Sequence, residues 1–337
     1  MATIPAQRKT ITAMTADGYP LPVIDVTQPA FAVDDSAEAV AALRDAFVNS
    51  ERRRRRLPRF VMGLLMRLAA RRSLLLRGLL RPNAGFLGGL STYVLKLGAD
   101  NLVPPFGDRV DKQVADSPPV RSMRVRLQQL ARLLADGLTP ELAGRPGLPL
   151  HLISIGGGTA IDILNALIVL RGAAPEALAR PVSIHVLDLD GRAPLFGANA
   201  LAALRAGDGP LTGLDIRLVH TRYSWDDTAP LDRLLGEIQA APAIIAASSE
   251  GALFEYGSDD AVIGNLRVLH NHAVRAVTGS VTRADELTLA MIANSRFKLM
   301  PRGIDTFSSL AARAGFAVAK VAPALMSDQV LLRSTRG

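Results

Sequence analysis

The sequence contains no cysteine and only five histidines among its 337 residues. Without cysteine the chain can form neither disulfide bonds nor thiolate metal sites, and such a composition is typical of a reducing compartment. The histidines form no His-x-x-x-His pair and no cluster with carboxylates, so we expect no metal site built from side chains. We expect a cytoplasmic protein.

Aromatic side chains are also scarce, at 4% of the residues, although the net charge is +8. The positive charge is most concentrated in a run of consecutive arginines, Arg52–Arg56. Proteins that bind single-stranded nucleic acid combine basic residues with aromatic rings on which the bases stack. We therefore interpret the arginines as a solvated helix face and do not expect a nucleic acid partner. A basic nucleic-acid-binding protein stays open as the least favoured alternative.

The chain lacks a stretch of about 18 uncharged apolar residues, the length that a membrane-spanning helix requires. Residues 1–17 lack the apolar core of a secretion signal. The composition is that of a globular protein, with 49% hydrophobic and 21% charged residues. We expect neither a transmembrane segment nor a signal peptide, and the length allows one large domain or two.

The pattern of apolar, polar and proline residues divides the chain into two parts. Residues 1–35 predict an irregular segment, and helical periodicity follows from Ser36 to about Leu80. Residues 102–121 carry two Pro-Pro pairs and predict a hinge or lid. We divide the chain into an N-terminal helical cap, residues 1–120, and a second domain, residues 121–337.

In the second domain, short apolar runs alternate with helical patterns. This alternation predicts βαβ units and a doubly wound, mostly parallel sheet. The last two predicted strands have no helix between them, which predicts an antiparallel hairpin at one edge of the sheet. The predicted strands are Leu150–Ile155, Val182–Leu187, Asp215–His220, Ala243–Ala247, Ala273–Val277, Phe297–Met300, Val318–Val321 and Val330–Leu332.

Three consecutive glycines, Gly156, Gly157 and Gly158, stand between the first predicted strand and a predicted helix. Glycines at such a junction allow a tight turn and let a ligand lie against the bare backbone. Ligands of open parallel sheets bind at the carboxyl ends of the strands. The second strand ends at that edge with Asp188 and Asp190, and a carboxylate there can accept hydrogen bonds from both hydroxyls of a ribose.

Two classes of ligand fit this pattern. A dinucleotide site expects Gly-x-Gly-x-x-Gly, but Ile161 stands where the third glycine belongs. The pattern Gly156-x-Gly158-x-Ala160 resembles motif I of the class I S-adenosylmethionine-dependent methyltransferases. The resemblance covers roughly residues 120–337, and FSSLAARAGFAVAKV near the C-terminus resembles the family's helix, Ala-Gly-Phe turn and penultimate strand.

The sequence departs from the family pattern at two positions. The family commonly has an acidic residue two positions before the first glycine, where this chain has Ser154. The last glycine of the motif is replaced by Ala160. Cofactor binding stays the expectation despite both changes.

The resemblance implies a class I methyltransferase-like fold that binds S-adenosyl-L-methionine. The glycines would approach the amino-acid part of this cofactor, Asp188 its ribose, and the segment that contains Tyr223 and Trp225 its adenine. A side chain at position 158 would then fill space that the ligand occupies. The implied cofactor-binding residues are Gly156, Gly157, Gly158, Asp188, Tyr223, Trp225 and Ser248.

The segment SSEGALFEYGSDD, which follows the fourth predicted strand, resembles the active-site loop of some O-methyltransferases in this family. Methyl transfer needs an aligned nucleophile and often a base. We predict Glu250 as the base, with Glu255 as a less favoured candidate and His270 or His272 as the least favoured ones. Tyr256, or Tyr93 from the N-terminal part, would orient a substrate amine or carboxylate.

These residues predict a methyltransferase that acts on a small molecule in a site covered by a helical lid. Azetidine-2-carboxylate synthases resemble the same family, but they use the cofactor's own amine to attack its γ-carbon and release methylthioadenosine. That cyclase chemistry is the alternative. The expected partner is a small-molecule substrate, and a homodimer is left open.

Overall fold

The computed structural model describes residues 10–55, 59–80, 88–293 and 295–335. The strands in these ranges are β1 (Thr12–Met14), β2 (Pro20–Pro22), β3 (Leu150–Ile155), β4 (Val182–Asp188), β5 (Ile216–Arg222), β6 (Ile244–Ser249), β7 (Ala276–Thr282), β8 (Phe316–Pro323) and β9 (Ser327–Ser334). The α-helices are α1 (Ala37–Arg55), α2 (Arg59–Arg72), α3 (Leu74–Leu80), α4 (Gly89–Lys96), α5 (Arg109–Ala115), α6 (Pro118–Ala143), α7 (Ile161–Ala173), α8 (Arg192–Arg205), α9 (Ala229–Ile238), α10 (Leu253–Tyr256), α11 (Asp259–Asn271), α12 (Glu286–Ala293) and α13 (Gly303–Arg313).

The main sheet has the strand order β5-β4-β3-β6-β7-β9-β8. The strands from β5 to β7 in this order are parallel, whereas β9 runs antiparallel to both β7 and β8. The predicted fold class is therefore confirmed, with a doubly wound, mostly parallel sheet and a C-terminal antiparallel hairpin.

Helices cover both faces of the sheet because its central strands are apolar on both sides. Leu152 of β3 points into a core that it shares with Leu127 of α6 and Leu164 of α7. The next residue, Ile153, points into a second core with Leu266 of α11 and with residues of α13. The alternation of neighbouring residues between two cores is the period of two that a buried strand imposes.

One predicted strand, Phe297–Met300, is wrong. These residues form an irregular segment, and the Met300 backbone N–H donates a hydrogen bond to the Glu255 carbonyl at 2.7 Å. The sheet has no place for another strand here, because β7 already pairs with β6 on one side and with β9 on the other.

The N-terminal residues are more ordered than the sequence predicts. β1 and β2 form an antiparallel hairpin within the predicted irregular segment. The N-terminal segment, Pro22–Val26, joins α4 to α7: Tyr93 accepts a hydrogen bond from the Ile24 N–H at 3.0 Å and donates one to the Pro22 carbonyl at 2.6 Å. On the other side, Asn165 accepts from the Val26 N–H at 2.8 Å and donates to the Ile24 carbonyl at 3.0 Å.

The predicted boundary between residues 120 and 121 falls in the first turn of α6. The predicted hinge, residues 102–121, contains α5 and the start of α6. In the arginine run, Arg52 and Arg53 are exposed on α1, and Arg56 lies outside the described residues. None of the helices in the described ranges combines the length and apolar character needed to span a bilayer.

Candidate functional site

The glycine loop, Gly156–Gly158, lies at the carboxyl end of β3 and leads into α7. Gly156 and Gly158 have positive φ angles of 63° and 52°, a conformation that costs glycine little and other residues more. Ala160 precedes α7 with a φ angle of 51°. The backbone at this position therefore keeps a glycine-type conformation, although alanine replaces the glycine of the motif.

The first two glycines of the loop are enclosed by neighbouring side chains. A Cβ atom at Gly156 would lie 2.7 Å from the Cβ atom of Ala252 and 3.0 Å from the ring of Trp225. A Cβ atom at Gly157 would collide with the Oγ atom of Ser154. A side chain at either position would force the loop away from the end of the sheet.

The third glycine contacts the cap. A Cβ atom at Gly158 would lie 3.1 Å from the Cα atom of Gly89 in the first turn of α4. We predicted that ligand would occupy this side of Gly158, but the structure places α4 there. The lack of a side chain at Gly158 therefore serves the packing of α4 against the loop.

Asp188, at the end of β4, fixes the conformation of the glycine loop. Its Oδ2 atom accepts a hydrogen bond from the Gly158 N–H at 2.9 Å, and its Oδ1 atom accepts one from the Asp190 N–H at 3.0 Å. Each carboxylate oxygen has a further lone pair, so the half-buried side chain can also accept hydroxyl donors. Asp190 is exposed and lies farther toward solvent.

Tyr223 and Trp225 follow β5 and have different surroundings. The Tyr223 side chain is buried, and its hydroxyl donates to the Asn265 side-chain carbonyl at 2.6 Å. Burial, with the charge of Asp227 as a second cause, raises the pKa of Tyr223. Asn265 in turn donates to the Trp225 carbonyl at 2.8 Å. Tyr223 thus supports the segment that follows β5, and both Tyr223 and the half-buried Trp225 line the cavity described next.

A cavity of about 1200 Å³ opens at the carboxyl edge of the sheet. The glycine loop, Asp188 and Trp225 line one part of it. Pockets for single small molecules commonly measure about 300–1,000 Å³, so this cavity has room for two neighbouring ligands. The lining also includes a set of apolar residues, and we call the space beside them the apolar part of the cavity: Met66, Leu79, Val120, Met123, Met291, Phe297, Leu299 and Met326.

Four charged side chains form a buried cluster in the cavity wall, and we call Lys96, Arg126, Glu250 and Glu255 the charge cluster. Glu250 accepts from the Lys96 ammonium at 2.5 Å and from Nε of Arg126 at 2.7 Å. Nη1 of Arg126 also contacts Glu255, at 3.2 Å. Signs alternate along the chain of contacts, so each charge has an opposite neighbour.

The surroundings of Glu250 contradict its predicted role as a base. Burial by itself raises the pKa of Glu250, but the charges of Lys96 and Arg126 outweigh burial and lower it to about 2. A carboxylate that holds its charge so firmly is a poor proton acceptor near neutral pH. We therefore correct the role of Glu250 from general base to an ion-pair partner in the cavity wall.

Tyr256 lies in the cavity wall beside the charge cluster. Burial and the nearby charge of Glu255 raise the pKa of Tyr256. Its hydroxyl therefore stays protonated across the physiological pH range and is a neutral hydrogen-bonding group. A substrate-orienting role for Tyr256 stays a prediction.

Ser248 lies beneath the glycine loop and is buried. Its hydroxyl donates to Oδ2 of Asp162 at 2.5 Å, and both side chains are about 1% exposed. Burial and the charge of Glu250 raise the pKa of Asp162 to about 6. Because neither side chain lines the cavity, Ser248 would act on a cofactor only indirectly, through the residues above it.

Tyr93 is also placed away from the cavity. Its side chain is fully buried, and its ring packs against Phe196 with 4.7 Å between the centroids. Both hydrogen bonds of its hydroxyl go to the N-terminal segment. This position contradicts the prediction that Tyr93 orients a substrate, because the hydroxyl is already engaged in holding the chain together.

Lys96 and Arg126 were not predicted from the sequence as residues of the site. Arg126 did leave a signal, because it shares one face of α6 with Leu130 and Leu133 at the spacing i, i+4, i+7. An arginine in an apolar stripe is expected to have a buried partner. Lys96 gave no comparable signal, since a lysine in the last turn of a short helix is common.

No protein-family profile matches the chain, and no curated protein matches it. The chain is similar to the crystal structure of a protein from Bordetella parapertussis described as a possible exported protein. The TM-score is 0.57 at 20% sequence identity, over 89% of this chain and 99% of the other. At that identity, the similarity shows a shared fold that includes most of the N-terminal part.

Weaker similarities relate the chain to proteins named as methyltransferases. One is magnesium protoporphyrin IX methyltransferase from Synechocystis PCC 6803 with bound SAH, with a TM-score of 0.40 at 15% identity, over 64% of this chain and 87% of the other. Another is an O-methyltransferase from neocarzinostatin biosynthesis, with a TM-score of 0.36 at 20% identity, over 68% of this chain and 62% of the other.

Proposed function

We propose that this protein is an S-adenosylmethionine-dependent methyltransferase that acts on a small molecule. The observation that carries the proposal is the glycine loop, which Asp188 holds in place at the edge of a cavity with room for two ligands. The cavity lies at the carboxyl ends of parallel strands, where open α/β sheets bind their ligands.

The residues present fit this cofactor. Gly156–Gly158 would lie against its amino-acid part, Asp188 would accept hydrogen bonds from the ribose hydroxyls, and Trp225 offers an aromatic face to the adenine. When bound, S-adenosylmethionine supplies a methyl group on a positively charged sulfur. A carboxylate is the side chain best suited to a pair of vicinal hydroxyls, because both of its oxygens accept.

The acceptor would occupy the apolar part of the cavity. Side chains of α2, α3 and α6 line that part, so the N-terminal helices would cover the acceptor and exclude water from the transfer. The proposal includes the helical lid predicted from the sequence. We also propose that the protein is located in a reducing compartment such as the cytoplasm, on the ground that the chain lacks cysteine.

A cyclase that forms azetidine-2-carboxylate is the second candidate. The observation in its favour is that Glu250 and Glu255 are both held by Arg126, so neither is available as a base for an external acceptor. A cyclase draws its nucleophile from the cofactor itself and needs no acceptor site. The volume of the cavity argues for the methyltransferase, because a cyclase would leave the apolar part without a ligand.

One reaction separates the two candidates. The purified protein is incubated with S-adenosylmethionine alone, and the products are identified by mass spectrometry. We expect almost no turnover, because the methyl acceptor is missing. Enzyme-dependent formation of methylthioadenosine together with azetidine-2-carboxylate would establish the cyclase instead. Calorimetric titration with S-adenosylmethionine and NAD tests the ligand class, and tight binding of NAD alone would refute both candidates.

A further inference from the structure

The charge cluster has no net charge and lines the cavity. Its two cations and two anions cancel, and all four residues line the cavity wall. Removing charges from water is costly even when they are paired, and an apolar cluster of the same volume is often at least as stable. The buried charges are therefore poorly explained by fold stability alone.

Arg126 is the most exposed member of the cluster. Its side chain is 10% exposed, against 3% for Lys96, 5% for Glu250 and 6% for Glu255. Nε and Nη1 contact the two glutamates. Nη2 makes neither of those contacts and lies beside the backbone of Gly251, where a Cβ atom would stand only 2.5 Å from it. Because Gly251 has no side chain, the guanidinium can lie directly against its backbone in the cavity wall.

We propose that the charge cluster binds the zwitterionic head of an α-amino acid, with the ligand carboxylate on Arg126 and its ammonium near the glutamates. A lone anion or cation would add an unbalanced charge to this enclosed site. A zwitterion adds none, and its two charges match the alternating signs of the cluster. Guanidinium and carboxylate groups also form strong, directional hydrogen bonds.

Two ligands carry this chemistry, and both rest on the proposed function. One is the amino-acid tail of the cofactor itself. The other is a free amino acid that serves as methyl acceptor. In either case Lys96, from α4, contributes to the site through Glu250, so the N-terminal part would complete the binding of the head group.

The test compares S-adenosylhomocysteine with methylthioadenosine, which is also an adenosine thioether but lacks the amino-acid head. Both are titrated calorimetrically into the wild type, Arg126→Gln and the control Arg132→Gln. Arg132 lies on the same helix in an exposed ion pair with Asp35. We expect Arg126→Gln to weaken the binding of S-adenosylhomocysteine about tenfold or more. The affinity for methylthioadenosine should stay unchanged within about twofold, and the control should bind both compounds like the wild type.

Arg126→Gln leaves two buried glutamates without their cation, so the variant Arg126→Gln/Glu255→Gln is measured in parallel because it keeps the charges balanced. If both variants fail to fold, the binding preferences of the wild type can still contradict the inference. Wild-type protein must then prefer S-adenosylhomocysteine over methylthioadenosine about tenfold, or bind free amino acids when saturated with S-adenosylhomocysteine.

The outcomes separate the two sources of the head group and the two levels of the proposal. If Arg126→Gln weakens only the binding of S-adenosylhomocysteine, the cluster binds the amino-acid tail of the cofactor. The ratio of the affinities for S-adenosylhomocysteine and methylthioadenosine can instead stay unchanged. If the saturated protein then binds free amino acids in a way that depends on Arg126, the cluster binds the acceptor. If neither effect is observed, the inference is wrong while the proposed function stays intact. If the wild type binds neither nucleoside, the proposed function fails, and titration with L-methionine alone still tests the cluster.

Discussion

Gly89 of the cap lies directly against Gly158 of the glycine loop, and a Cβ atom on Gly89 would stand 2.9 Å from the Cα atom of Gly158. Two backbones approach this closely only where neither residue has a side chain. The contact couples the position of α4 to the conformation of the loop. A change in the cap can therefore alter binding of the proposed cofactor without touching a residue of the loop.

Gly89→Ala tests this coupling against Gly78→Ala, which also lies in a helix but has open space around its Cα atom. Alanine favours helix over glycine by about 0.5–1 kcal/mol, so Gly78→Ala should raise the free energy of unfolding. Gly89→Ala should lower it by about 1–3 kcal/mol through overpacking and should weaken binding of S-adenosylhomocysteine. Urea unfolding and calorimetry measure both, and a stabilised Gly89→Ala would contradict the coupling.

Asp188→Asn should weaken binding of S-adenosylhomocysteine by about 1–3 kcal/mol. The amide keeps the shape of the carboxylate but has one acceptor oxygen instead of two, so the loop N–H and the ribose hydroxyls compete for it. Asp190→Asn, two residues away and exposed, is the control and should bind nearly normally. If the two variants show the opposite order in calorimetry, Asp190 is the ribose ligand.

The stability of the protein should depend on the proton of Asp162. Its pKa in the folded protein, about 6, exceeds the usual 3.8 because of burial and the charge of Glu250. The folded state thus binds the proton more tightly than the unfolded chain, and the resulting stabilisation is lost as the pH rises through 6. Between about pH 5 and 7.5 this loss amounts to about 1 kcal/mol.

Asp162→Asn should remove that slope from the free energy of unfolding, measured by urea denaturation across the same pH range. The difference between wild type and variant isolates Asp162 from carboxylates that titrate in both proteins. Asp208→Asn, at an exposed position, should keep the wild-type slope. An Asp162→Asn variant with an unchanged slope would show that this carboxyl group titrates normally.

Trp225 is the only tryptophan in the chain, and it lies beside the proposed adenine site. Its fluorescence should therefore change in a saturable way when S-adenosylhomocysteine binds. Methylthioadenosine should produce the same change, because both compounds carry the adenosine group. NAD should produce none, and a Trp225→Phe variant should give no signal with any ligand. An emission spectrum that is insensitive to S-adenosylhomocysteine at saturation would place the adenine elsewhere.

The sequence was most informative where one local signal determines the structure. The apolar run Leu150–Ile155, closed by three glycines, predicted the bounds of β3 and the loop after it. Longer strands were predicted too short when polar residues continue them. β7 extends to Thr282 because its Thr and Ser side chains are buried between neighbouring strands and helices, and no apolar pattern announces that burial.

The candidate site was less predictable, because it depends on contacts between distant residues. Glu250 follows a strand end as predicted, but Lys96 lies 154 residues away in the sequence and Arg126 lies 124 away. These two cations change a predicted base into a firmly ionised carboxylate. Tyr93 shows the same limit, since only the folded chain brings Pro22 and Ile24 to its hydroxyl.

The N-terminal segment has a consequence for any attempt to treat the cap as an exchangeable module. Pro22–Val26 is anchored on one side by Tyr93 and on the other by Asn165, and both anchors use its backbone. A fragment that starts at residue 121 would leave the Asn165 amide and the apolar surface around it without cover. A transplanted cap would have to bring its own extended segment, so the unit of exchange is the cap together with the residues that fasten it to the sheet.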